Sequence, residues 1–282
     1  MKKVSCLLRL MRPVNCAIMG FAVFVGALLA ASTALADSWL NLVFGFLTGF
    51  LLCAAAMVIN DYYDRGIDAV NEPTRPIPSG LISVRTALVL VGVLAVVGLV
   101  FAFLSSVLCL GVAAASWAIT VSYVTVGKRT GLPGNFLVST CVAIPFIYGS
   151  IAVTGGLQLN VLLFALMAFL SNTGREITKG IVDVKGDAAE GIKTLAVRYG
   201  ERAAAVVAVV FFLSAVALTP LPWYWGIVSF WFVPVVLVTD VGFVVSSVLL
   251  LRDFSRENAR RAKKLVLLWF VLGLLAFVFG AL

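Results

Sequence analysis

The chain has 282 residues, 62% of them hydrophobic and 12% charged, with a mean hydropathy of +1.11. A soluble domain carries about 25% charged residues, so this composition excludes one and indicates an integral membrane protein. The formal charge of +8 would suit a nucleic-acid partner only if the basic residues shared one polar surface, and their placement along the chain argues against that.

Runs of about 20 apolar residues recur along the whole length. In chain order, spans are expected at 14–36, 39–59, 86–106, 108–126, 134–154, 157–180, 201–219, 223–250 and 264–281, with Pro234 and Asp240 interrupting the eighth. The expected fold is all-α: one transmembrane domain over residues 1–282, a polytopic bundle of nine helices. Met1 to Pro13 is basic, but no small-residue cleavage site follows, so the first span is read as retained. If the N-terminus is cytoplasmic, the successive inside segments hold 4, 3, 2, 6 and 6 Lys and Arg, which accounts for all 21 in the chain. None falls in an outside loop, as the positive-inside rule requires. That alternation supports both the span count and a multi-pass protein of the cell membrane with its polar loops in the cytoplasm. The five cysteines form no CxxC pair and read as small hydrophobes, and the chain has no histidine. The remaining metal donors are hard oxygens suited to Mg²⁺.

The two longest inside connections, 60–85 and 181–200, follow spans two and six. Four helices separate them, so the chain reads as two four-helix halves plus a ninth helix, with both connections on one membrane face. Each opens with carboxylates at helical spacing, an arrangement that is costly near a bilayer. In the first, Asn60, Asp64 and Asp68 step around one helical face, and Asp61 flanks them. Such an open row suits Mg²⁺ shared with substrate phosphates; the competing reading is an N-capping acidic turn. The prolines at 73, 76 and 78 stiffen the following loop and aim Arg75 towards a ligand phosphate. In the second, Glu176, Lys179, Asp183 and Asp187 share a face if the helix persists past Gly186. The competing reading there is a set of i,i+4 pairs on a solvated helix end. Two facing carboxylate sites would clamp one diphosphate, and the basic residues around them would stabilise the leaving pyrophosphate. An allylic diphosphate leaves a carbocation, which a helical bundle shields from water. The chemistry fits prenyl transfer.

These residues resemble the UbiA superfamily of intramembrane prenyltransferases. Asn60-Asp61-x-x-Asp64-x-x-x-Asp68 is similar to its first aspartate motif and Asp183-x-x-x-Asp187 to its second, while Gly180 stands where many relatives carry a third acid. The resemblance implies Mg²⁺ bound by Asn60, Asp61, Asp64, Asp68, Asp183 and Asp187, with Asp61, Asp64, Asp183 and Lys179 central to catalysis. It implies phosphate contacts from Arg75, Lys128, Arg175, Lys179, Lys185 and Asn15. Arg12-Pro13-Val14-Asn15, Lys128-Arg129-Thr130-Gly131 and Arg175-Glu176-Ile177-x-Lys179 look most like the archaeal digeranylgeranylglyceryl phosphate synthases within that superfamily. Those enzymes pass a geranylgeranyl group from its diphosphate to the free hydroxyl of geranylgeranylglyceryl phosphate, so the implied partners are a prenyl diphosphate donor, a lipid-phosphate acceptor and membrane lipid, with no nucleic acid.

Two other readings compete. An aromatic prenyltransferase of quinone biosynthesis would carry the same motifs. A cation-coupled transporter would favour Asp240, although transporters place binding groups near the midplane on broken helices. The basic stretch 252–264 reads as a topology anchor that meets anionic headgroups.

Overall fold

The computed structural model describes residues 2–281. Thirteen α-helices follow one another: α1 Lys2–Met11, α2 Pro13–Ala30, α3 Trp39–Tyr63, α4 Arg65–Asn71, α5 Val84–Ser105, α6 Val107–Thr125, α7 Leu132–Thr154, α8 Leu159–Val182, α9 Val184–Ala189, α10 Leu195–Leu218, α11 Pro220–Tyr224, α12 Phe232–Arg252 and α13 Arg256–Ala281. Nine of these are long, and eight are long and apolar enough to cross a membrane. The ninth, α8, has the length but carries Asn172, Arg175, Glu176 and Lys179 in its second half. The all-helical bundle expected from the apolar runs is therefore present, and the chain is a multi-pass membrane protein.

The two halves correspond element by element. In the first, α3 ends at Asp64, short α4 follows, and α5 restarts behind Ser83, whose Oγ accepts from the Thr86 amide at 3.1 Å. In the second, α8 ends at Asp183, short α9 follows, and α10 restarts behind Thr194, whose Oγ1 accepts from the Val197 amide at 3.4 Å. Such N-caps satisfy orphan amides where a helix re-enters the bundle. α3 packs on α5 as α8 packs on α10, α2 and α7 join the halves, and α13 packs on α12 and α8.

The seam between α2 and α7 is made by glycine. A methyl group at Gly149 would lie 2.0 Å from the Val23 carbonyl, and one at Gly26 would lie 2.3 Å from the Phe146 carbonyl. Backbones approach this closely only where both helices present small residues, which is how membrane helices gain packing without a hydrophobic drive. The opposite faces of the helices are greasy. Val89, Val93, Val96, Val100 and Phe103 on α5 are all exposed, as lipid contact requires.

Three expected spans are corrected, the ninth because α13 starts at Arg256 and takes most of the basic stretch before 264 into the helix. The first stops at Ala30, because Ala31 turns extended (φ −162°, ψ 83°) and residues 32–34 form a single 3₁₀ turn. The eighth does not begin at 223: α11 ends at Tyr224, Gly226 takes a positive φ of 67°, and α12 starts at Phe232. Pro234 is therefore no interruption, since it occupies the first turn of α12, where no amide is needed. The connection exposes Trp223, Tyr224, Trp225, Phe230 and Trp231, a belt of the kind that sits at headgroup level. The seventh span starts where expected, because Gly200 (φ 84°, ψ 163°) separates one preliminary turn from the rest of α10.

Replacing Gly149 with alanine forces a backbone shift in α2, so thermal unfolding in detergent should show a loss of about 3 kcal/mol. Gly92→Ala is the control: its methyl would meet nothing within 4 Å, and helix propensity favours it by up to about 1 kcal/mol.

Candidate active site

One cavity of about 380 Å³ runs into the bundle from the end where both acidic motifs lie. Its rim is charged: Arg12, Asn15, Asn60, Asp64, Asp68, Glu72, Arg75, Lys128, Arg175, Glu176, Lys179, Asp183, Asp187, Arg260 and Lys263 all contribute. Below the rim the walls come from α2, α3, α6 and α7 through Met19, Leu52, Cys53, Ala113, Trp117 and Val142, and the deepest lining residues are Val23, Thr48 and Tyr148. Along α3 the slot extends from Asp64 to Thr48, about 24 Å at 1.5 Å per residue. Its floor is stiff. The Tyr148 hydroxyl lies 3.4 Å from Thr48 Oγ1 and 3.3 Å from Ser105 Oγ, and Thr48 donates to the Gly98 carbonyl at 3.3 Å.

The helix break at each motif does not scatter the carboxylates. The Asp64 amide still bonds the Asn60 carbonyl and the Asp68 amide the Asp64 carbonyl, at 2.9 and 2.8 Å. The Asp183 amide bonds the Lys179 carbonyl and the Asp187 amide the Asp183 carbonyl, at 3.0 and 2.9 Å. Register is therefore carried across each junction, and Asn60, Asp64 and Asp68 face Glu176, Lys179, Asp183 and Asp187 across one space. Gly186 does not end the face.

The first motif is fully occupied by cations. Arg12 donates to Asp61 at 2.5 Å, Arg75 reaches Asp68 at 2.5 Å and Asp61 at 3.5 Å, and Lys128 bonds Asp64, which also accepts from Asn60 Nδ2 at 2.9 Å. Asp61 lies behind the cavity wall with its side chain 4% exposed, so it meets the site only through those two arginines. The second motif is the reverse. Among the described residues neither Asp183 nor Asp187 makes an ion pair, and the only acid engaged there is Glu176, held by Arg175 at 3.2 Å and Lys179 at 3.3 Å. Burial pushes Asp68 up to about 6 against the pull of Arg75, and burial beside Asp183 pushes Asp187 up to about 6.

Of the residues expected at the site, Asn15, Asn60, Asp64, Asp68, Arg75, Lys128, Arg175, Lys179, Asp183 and Asp187 line the cavity. Two do not. Asp61, expected as a metal ligand and catalytic residue, is buried behind the wall in its pairs with Arg12 and Arg75, and Lys185 is exposed on α9, pointing away from the space its neighbours share. Three lining cations were not expected from the sequence. Arg12 sits at a left-handed backbone position (φ 53°) between α1 and α2, and Arg260 and Lys263 come from the first turns of α13. For the first, the signals were the Arg12-Pro13-Val14-Asn15 run that carried the resemblance and the proline itself, since a residue before proline is held out of helix. Asp240 is remote from this cavity. It accepts from Thr219 Oγ1 at 2.7 Å and borders a separate apolar pocket of about 90 Å³.

Because Asp61 is buried, removing its partner leaves a charge without compensation. Arg12→Gln should cost about 2 kcal/mol in detergent unfolding, moderated by the partial exposure of Arg12, and Arg12→Gln with Asp61→Asn should recover most of it. Additive losses would show that the pair is uncoupled.

The profile of the UbiA prenyltransferase family matches residues 19–280. The chain is 38% identical over 271 residues to digeranylgeranylglyceryl phosphate synthase of Methanopyrus kandleri, covering 96% of this chain and 97% of that one. It is 41% identical over 240 residues to the synthase of the same name from Natronomonas pharaonis, covering 84% of each. Among solved structures, one described as giving insight into digeranylgeranylglyceryl phosphate synthase in membranes superposes with a TM-score of 0.76 at 30% identity, over 100% of this chain and 99% of that one. A UbiA homologue from Archaeoglobus fulgidus bound to DMAPP and Mg²⁺ shares the fold at 17% identity, with a TM-score of 0.70 over 96% of this chain and 99% of that one. An all-helical bundle with two aspartate motifs facing one cavity, a full-length profile match and relatives above 30% identity agree: this chain is a prenyltransferase of the UbiA family.

Proposed function

We propose that this enzyme transfers a geranylgeranyl group from geranylgeranyl diphosphate to the free hydroxyl of geranylgeranylglyceryl phosphate, with Mg²⁺, on the cytoplasmic face of the membrane. The observation that carries this reading is the single slot with a doubly charged rim and an apolar shaft, in a chain whose relatives at 30–41% identity bear that synthase's name.

The donor set fits Mg²⁺ as an open site. Among the described residues no three acidic or thiol side chains close around one point, whereas Mg²⁺ prefers one or two carboxylates completed by water and phosphate oxygens. Asn60, Asp64 and Asp68 on one side and Asp183 and Asp187 on the other would hold it. Bound there, it neutralises charge growing on the departing diphosphate. Arg75 and Lys128 already neutralise the same carboxylates; when a diphosphate arrives they are placed to turn to its oxygens, where charge-assisted bonds strengthen as the C–O bond breaks. The shaft excludes water from the allylic cation while Met19, Leu52, Trp117 and Val142 pack its tail. The acceptor oxygen then bonds to the allylic carbon that the diphosphate has left, and its proton passes to the released diphosphate, completing the ether.

Membranes carrying the protein, incubated with both substrates and Mg²⁺, should yield the double ether by mass spectrometry. With 4-hydroxybenzoate as acceptor they should yield nothing; the reverse outcome would make this an aromatic prenyltransferase. Asp64→Ala and Asp183→Ala should each lower turnover at least about a hundredfold at normal protein level.

Protons compete with the metal at Asp68 and Asp187. Both carboxyls are ionised well above pH 6 and protonated below it, so activity should be full at pH 7.5 and fall as pH drops through 6. Raising Mg²⁺ tenfold should move that acid limb to lower pH.

Tyr148 closes the shaft, so Tyr148→Ala should raise kcat/KM for a five-isoprene donor relative to the four-isoprene one. Tyr148→Phe, which keeps the ring, should leave that ratio unchanged.

A further inference from the structure

The basic residues at the start of α13 do not all face the same way. Arg252 and Lys264 are exposed, and Arg261 has a side chain 72% exposed, as an anchor to anionic headgroups requires. Lys263 instead turns inward, half-buried, and lines the reaction cavity. Among the described residues it has no ion-pair partner, and its charged neighbours are Asp183, Lys179, Arg175 and Glu176. Arg175 beside it spends Nη1 on Glu176, while its Nε is buried with no hydrogen-bond partner. A buried guanidinium nitrogen without an acceptor costs free energy, and this one belongs to a residue on the cavity wall.

Charge counting separates the two sides of the cavity. On the first motif, Arg12, Arg75 and Lys128 are matched by Asp61, Asp64 and Asp68. That side is neutral and offers a diphosphate no net attraction until a metal ion joins it. On the other side, Arg175, Lys179 and Lys263 face only Glu176 once Asp183 and Asp187 are committed to a metal ion. The surplus of two positive charges matches a phosphomonoester, which carries about −1.5 to −2 at pH 7.

We propose that Lys263 and Arg175 form a second anion site, facing the first motif, which takes the phosphomonoester of a lipid acceptor on its own cations once a metal ion has engaged Asp183 and Asp187. This rests on the acceptor reading above. It assigns the donor diphosphate to the metal-dependent side and the acceptor phosphate to α8 and α13, so that the two tails share the shaft while their anionic heads stay apart.

The test is calorimetric titration of the purified protein in Mg²⁺ with a 1-O-alkylglycerol phosphate, the corresponding alkylglycerol, and inorganic phosphate. The phosphate-bearing lipid should bind more tightly than either of the others. Lys263→Gln should weaken its binding at least about tenfold, the loss expected of one charge-assisted contact, and Lys263→Arg should restore most of it. In turnover with Mg²⁺, the ratio of kcat/KM for the phosphate-bearing acceptor to that for the phosphate-free one should fall by a similar factor in Lys263→Gln. Arg175→Gln should act in the same direction. Equal binding by wild type and Lys263→Gln, or inorganic phosphate binding as tightly as the lipid, would overturn the proposal. Lys263-dependent lipid-phosphate binding in a wild type that forms no double ether would sink the acceptor reading and leave the anion site standing.

Discussion

Everything at the reactive end depends on keeping carboxylates ionised at the edge of a low-dielectric slab. Three aspartates within eight positions would protonate or repel one another if left alone. Here each is held by a cation from another segment: Arg12 from the α1–α2 corner, Arg75 from the proline-stiffened loop, and Lys128 from the turn before α7. Those pairs also pin three connections to the end of α3. Removal of one partner leaves an uncompensated charge, so the network fixes loop geometry more than it adds net stability. Asp61 shows the division of labour: it lies behind the wall and positions two arginines, leaving Asp64 and Asp68 to face the cavity.

Repetition of one local device in both halves explains why a single cavity results. A long helix ends at an aspartate, a short helix continues its register, and a Ser or Thr cap starts the next span. The two short helices, α4 and α9, then pack against each other over the cavity. The halves differ in electrostatics: the aspartates of the first motif are paired with cations, whereas among the described residues Asp183 and Asp187 are not.

Much of this was legible in the sequence because it follows from short-range rules. Apolar run length set the helices, the four helices between the two acidic connections brought both to one end of the bundle, and a four-residue step aligned Asn60 with Asp64 and Asp68. What failed depended on tertiary placement. Lys185 lies between two cavity-lining aspartates in sequence, yet a residue two positions from each points to the other side of a helix. Arg12 and Lys263 looked like topology charges, because nothing local distinguishes a lysine facing headgroups from one facing a cavity. The eighth span was drawn too early because tryptophan and tyrosine score as apolar even where they sit in an interfacial loop.

That interfacial loop has a consequence for the far end of the bundle. Five exposed aromatic rings at the end of α11 and in the loop to α12 form a belt, of the kind found at headgroup level, at the end of the bundle away from the acidic motifs. The apolar part of α13, residues 265–281, is about 26 Å long, close to the hydrocarbon core of about 30 Å, and the charged first turns with Arg260 and Lys263 stand beyond it. The distance between the aromatic belt and the charged rim is therefore set by the protein, and a bilayer of another thickness has to adjust to it.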